Sequence, residues 1–143
     1  MSRDQALAAV ATFPQRLHDA AVAAASRPTT AGEWGPTEVV RHLIAVEGEV
    51  HLERLRQVAL EDNPQWAWTE PGLAADFDGA DLATVLEAFA EARGATVELV
   101  LALGEDGWDR FGTHATYGRL TVEGLLRLAA DHDAEHLGGL DGR

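Results

Sequence analysis

The sequence predicts an all-α domain built as a four-helix bundle. Four long stretches carry apolar residues at helical spacing. Two of the links between them are long and irregular, as in bundles with crossover connections. The length, 143 residues, is that of one domain, residues 1–143, and a chain of that size buries about 68–70% of its unfolded surface. Such a core needs no covalent staples, and there is no cysteine to make them.

Residues 3–25, rich in alanine and leucine, form the first helix. Pro14 lies inside it, so either the helix kinks there or a turn ends near Thr12 and a new helix starts with the proline in its first turn. Ser26-Arg27-Pro28 closes the segment, because a residue before proline avoids the helical region. Pro36 suits a first helical position, and Glu38 favours the positive end of the helix dipole. The second helix then runs from Pro36 to about Leu60, with Val39, His42, Leu43, Val46 and Val50 on its inward stripe. Residues 61–80 break into Asp-Asn-Pro, Trp-Ala-Trp, Glu-Pro-Gly and Asp-Phe-Asp-Gly. This is an ordered crossover or a lid, well above the usual ~4–6 residues of a connection. The third helix spans about Asp81 to Leu103 and turns Leu82, Val85, Leu86, Phe89, Val97 and Val100 or Leu101 inward, with Gly94 weakening its middle. Residues 104–120 are irregular again and have room for short extended pieces from Phe111 to Gly118. Thr121 caps the fourth helix, and Gly138-Gly139 ends or frays it.

The fourth helix carries the chemistry. Its apolar stripe, Leu125, Leu128 and Ala129, continues by three and four residues into His132 and His136. Two imidazoles one turn apart lie side by side, so one ion can reach both. Burying them without partners costs about 2–7 kcal/mol per polar group, and a shared metal removes that cost. His42 falls on the core face of the second helix and supplies a third imidazole. Three neutral ligands and an open position are the pattern of catalytic metal sites. Glu47, at the edge of the His42 stripe, and Glu135, beside His136, are the candidate catalytic carboxylates. An ion pair with an arginine is the plainer reading of Glu47. Glu135 sits about 60–100° off the ligand face, which suits a solvated or orienting group. Asp131 and Asp133 could orient the imidazoles from behind. His132 to His136 also spells the reversed zincin pattern H-x-x-E-H, but the few residues that follow offer no further ligand for a peptidase.

The remaining histidines and tryptophans read as structural. His51 is nine residues from His42, about 180° around an α-helix, and is expected on the surface or at a dimer contact. His18 reads as surface and His114 as a loop residue. Trp34 is expected to staple the start of the second helix, and Trp66 and Trp68 to pack the crossover or shape a pocket.

The net charge is −13, and all 11 basic residues are arginine. That balance repels nucleic-acid phosphates and argues against such a partner, and its plainer meaning is solubility. No run approaches the ~18 apolar residues of a membrane span, and no charged region leads into an apolar one as in a secretory leader. The expectation is a cytoplasmic protein acting on a small molecule.

Two segments resemble the DinB/YfiT-like superfamily of small metalloenzymes. One runs from Arg27-Pro28 through Gly32, Trp34-Gly35-Pro36, Glu38-Val39-Val40 and His42-Leu43 to Glu47, with Gly35 where the family usually has serine. The other runs from Gly118-Arg119-Leu120-Thr121 through Gly124-Leu125-Leu126 to His132-Asp133-Ala134-Glu135-His136-Leu137. The resemblance implies up-down-down-up topology, a divalent ion on His42, His132 and His136, and a homodimer. It also implies a low-molecular-weight thiol as co-substrate, in S-transfer or in mycothiol-dependent maleylpyruvate isomerisation. Zn²⁺ and Ni²⁺ are the ions expected of such a donor set. The opposing reading is a binding or interaction protein whose ion is purely structural, which a fourth protein ligand would favour.

Overall fold

The computed structural model describes residues 1–142. Its first helix, α1 (Arg3–Ala25), starts on a capping box in which the Ser2 and Gln5 side chains each bond the other's backbone N–H. Pro14 does not divide it; the helix continues unbroken to Ala25. The second helical rod has three parts. These are α2 (Pro36–Val46), a π-helical segment (Glu47–Leu52) and α3 (Glu53–Leu60). Gly35 caps α2 without a side-chain hydrogen bond, the consequence of lacking serine there. The third rod is α4 (Leu82–Ala102), capped by Asp81, and the fourth is α6 (Val122–Asp141), capped by Thr121. α6 runs straight through Gly138 and Gly139.

Two apolar clusters fix the directions of the rods. One gathers Ala6 and Val10 of α1, Leu55 and Val58 of α3, Val100 of α4, and Val122 to Ala130 of α6. The other gathers Phe13 to Ala24 of α1, Val39 to Leu43 of α2, Val85 to Phe89 of α4, and Leu140 of α6. The second and third rods therefore run from the second cluster to the first, and the outer two run oppositely. This is the up-down-down-up bundle, and the parallel middle pair is why residues 61–80 must cross its whole length.

The irregular stretches have a shared use. β1 (Gln65–Trp66) pairs in parallel with β2 (Phe111–His114), which forms an antiparallel hairpin with β3 (Gly118–Thr121). A four-residue helix, α5 (Glu105–Trp108), precedes the hairpin. The small sheet ties the crossover to the start of α6. Trp66 is buried and donates its indole N–H to Gln57, whereas Trp68 stays exposed.

Candidate metal centre

His42 is held from two sides. It lies on the buried face of α2, and its Nδ1 sits 3.1 Å from the Gly72 carbonyl in the crossover. A carbonyl only accepts, so the proton is on Nδ1 and the lone pair is on Nε2. The crossover is pinned at the same place by Arg41, whose guanidinium donates to the Ala74 carbonyl, while the Ala74 N–H returns a bond to the Arg41 carbonyl. Residues 72–74 thus set the tautomer of His42. Trp34 does not simply staple the helix start. It is partly exposed, and its ring packs on His42 with centroids 5.0 Å apart.

His132 and His136 lie one turn apart on α6, with their Nε2 atoms 3.2 Å apart. Two nitrogens on a tetrahedral zinc with bonds of about 2.0–2.1 Å would be about 3.3 Å apart. The pair is therefore already at the spacing an ion requires. One nitrogen from each of His42, His132 and His136 lies within 4.8 Å of the others, and among the described residues no fourth donor joins them. Burial pushes His132 down to about 3, helped by the charges of His136, His51, His42 and Arg93. Burial and His42 also lower His136, against a small opposing pull from Glu135. Both rings are thus neutral, the form that binds metal. The donor set fits a divalent ion on these three observations.

Behind the ligands lies a buried ionic cluster centred on Arg93. Its five N–H groups are all used. Nε and Nη2 donate to Glu47 Oε1, Nη1 and Nη2 to the two oxygens of Asp133, and Nη1 also to the Val10 carbonyl. Thr96 donates to the other Glu47 oxygen at 2.7 Å. The Phe13 and Phe89 rings flank the guanidinium. Burial raises the Glu47 carboxyl, but the Arg93 charge and hydrogen bonds, with His51 and Thr96, outweigh it and hold Glu47 below its usual range. Two carboxylates share one guanidinium, so one negative charge is left over. It falls on Asp133, which burial pushes up to about 6 against the Arg93 contacts.

This arrangement corrects the sequence reading in four places. Glu47 is not a free base, since it is 1% exposed and both its oxygens are engaged. The inward position on α4 expected for Val97 belongs to Arg93 and Thr96, both buried. The spacing from Phe89 through 93 and 96 to Val100 carried that signal. His51 is half-buried and does not lie on the far side of the rod. Its Nε2 is buried without a partner, and its ring faces His132 with centroids 5.8 Å apart. Burial pushes it down to about 4, with Arg93 and Arg54 lowering it further and Glu47 opposing. His114 is no plain loop residue, because its buried Nδ1 accepts the backbone N–H groups of Thr116 and Tyr117 and shapes the hairpin tip. Glu135 is exposed on α6, where it shares with His136 the wall of an open groove of about 700 Å³. Glu33, Trp34, Val39, Gly138 and Gly139 are among the other residues of that wall. A Cβ at either glycine would meet no atom within 4 Å, so the missing side chains leave the groove open beside the ligand.

The family model of the DinB superfamily matches residues 5–140. The chain belongs to the DinB superfamily. Comparison with curated proteins finds no match. Among solved structures, this DinB chain is similar to YfiT from Bacillus subtilis, described as a probable metal-dependent hydrolase with an unusual four-helix bundle topology. The TM-score is 0.73 at 20% identity, over 98% of this chain and 86% of that one. At that identity the likeness is one of fold. In this DinB chain His42, His132 and His136 bring the second and fourth rods of the bundle together, and His136 lines a groove wide enough for a small molecule.

Proposed function

We propose that this protein is a divalent-metal-dependent enzyme that activates a low-molecular-weight thiol, or water, against a small electrophile in the groove. The observation that carries the reading is the convergence of three imidazoles, one of which lines an open groove, without a fourth donor among the described residues. Three protein ligands and a vacant coordination position are what a reactive centre requires, and four would close it. His42, His132 and His136 would hold Zn²⁺ or Ni²⁺. Such an ion supplies Lewis acidity, which favours the anionic form of a thiol or a water near neutral pH. The likeness to a protein described as a metal-dependent hydrolase supports the same class of chemistry.

The chain's own residues do the remaining work. Trp34 and Val39 give the groove an apolar wall that excludes water from one side of a bound substrate. Glu135 stands at the groove without a buried partner and is our candidate for moving a proton to or from the substrate. Metal analysis of the purified protein and of His42→Ala and His132→Ala tests the reading. We expect near-stoichiometric metal in the first and little in the variants. Unchanged metal in both variants would remove the idea. Glu135→Gln should keep its metal and lose about 10²–10⁴-fold in turnover.

One observation favours a second reading, a binding protein with a structural ion. Glu47 is consumed by Arg93, which leaves two exposed carboxylates, Glu33 and Glu135, at the groove. In that case chelation lowers the melting temperature, and no activity is found in a screen of thiol-transfer and hydrolysis reactions.

A further inference from the structure

The described residues contain three buried side-chain nitrogens without a hydrogen-bond partner, and two of them belong to facing rings. They are His51 Nε2 and His132 Nδ1, on rings set nearly perpendicular at 75° with centroids 5.8 Å apart. An imidazole that gives Nε2 to a metal carries its proton on Nδ1, and a buried N–H without an acceptor costs free energy. The neighbouring ring has an unused nitrogen. The two vacancies are complementary, one needing an acceptor and the other able to be one.

We propose that His51 is a positioning residue of the metal centre, whose Nε2, not bonded to His132 in this structure, accepts the Nδ1–H of His132 when an ion is bound. The inference rests on the metal reading above and adds a residue to it. The π-helical segment Glu47–Leu52 is what brings His51 there. Each residue of a π turn rotates the chain by less than the ~100° of an α turn. A histidine nine places after His42 would otherwise lie on the opposite side of the rod. The segment therefore serves the site, since it aims one histidine of this rod at the ion and another at the ion's second ligand. His42 obtains the same support by a different route, the Gly72 carbonyl. The two ligands that come from separate rods then each have a fixed tautomer.

The test uses the full chain, ¹⁵N-labelled and titrated with zinc. In the wild type, long-range ¹H–¹⁵N spectra should show His132 protonated at Nδ1, His51 Nε2 free of a proton, and a coupling across the bond between them. Competition with a chromophoric chelator should show zinc binding weakened about 10- to 100-fold in His51→Leu. His51→Gln, whose amide oxygen can accept in the same place, should recover wild-type affinity to within a few-fold. A folded His51→Leu that binds zinc as the wild type does overturns the role of His51 alone. So does a wild-type spectrum in which His51 Nε2 carries the proton, and that measurement decides the matter if the leucine variant fails to fold. A wild-type protein that takes up no zinc overturns this proposal and the metal reading together.

Discussion

Pro14 and Arg93 solve each other's problem. Proline has no N–H, so the carbonyl of Val10, four residues earlier, loses its helical donor. Arg93 Nη1 supplies that donor at 2.9 Å, which is why α1 passes through Pro14 intact. The same guanidinium compensates Glu47 and Asp133, so its removal would strand three buried acceptor groups at once. We expect Arg93→Leu to destabilise the fold by about 3–5 kcal/mol, the range for breaking a buried ion pair from one side. Arg93→Lys should recover little, because an ammonium cannot make the planar fork that two carboxylates need. Urea-denaturation midpoints of the two variants check this, and a lysine variant near wild-type stability would refute the fork argument. At this scale the sequence was legible wherever one stripe decided the matter. His42, His132 and His136 continue apolar stripes, and from those stripes their meeting in one place was readable. Arg93 also continues one, but a charged residue on a stripe is recognisable as buried only when its counter-charges, 40 and 46 residues distant, are known.

Among the elements, the departures from expectation come from backbone features that side-chain periodicity does not encode. The α-helical count from His42 placed His51 on the far side, and the six-residue π segment moved it toward His132. No residue in Glu47–Leu52 is a strong helix breaker apart from Gly48, so nothing in the composition announces the change of pitch. The sheet was legible only as short extended pieces, because two- and four-residue strands are too brief to show an alternation. Its packing nevertheless has a sharp sequence requirement. The six-membered ring of Trp66 packs against Gly112, and a Cβ there would overlap the indole. Gly112→Ala must displace Trp66 from its place and from its bond to Gln57. We expect a loss of about 1–3 kcal/mol from overpacking, read as a lower denaturation midpoint together with a red-shifted tryptophan emission. An alanine variant of wild-type stability would show that the crossover does not depend on this contact.

For the molecule as a whole, the buried histidines link stability to pH and to metal. His51, His114, His132 and His136 are all lowered from an unfolded value of 6.5, chiefly by burial, with His51 at about 4 and His132 at about 3. The fold therefore holds them neutral, while the unfolded chain takes up protons more readily. Their contribution is complete above pH 6.5 and is lost as pH falls through 6.5 toward 4. Glu47, held below 4.5, adds a loss at the lower end of that window. Asp133 acts in the other direction, since a folded value of about 6 makes acidification favour the fold, and it offsets one histidine in part. Five groups against one leave a net decline. Metal should deepen the dependence, because zinc and protons compete for the same lone pairs. At zinc concentrations about 100 times Kd a bound ion would stabilise the fold by about 2.7 kcal/mol, or about 5–10 °C for a chain of this length. We expect melting temperatures to fall steadily from about pH 7.5 to about pH 4.5, and the zinc-dependent gain to be full at the first and nearly absent by about pH 5. Circular-dichroism melts with and without zinc, repeated on His42→Ala, read both effects. A gain in that variant equal to the wild-type gain would mean that the stabilising ion sits elsewhere.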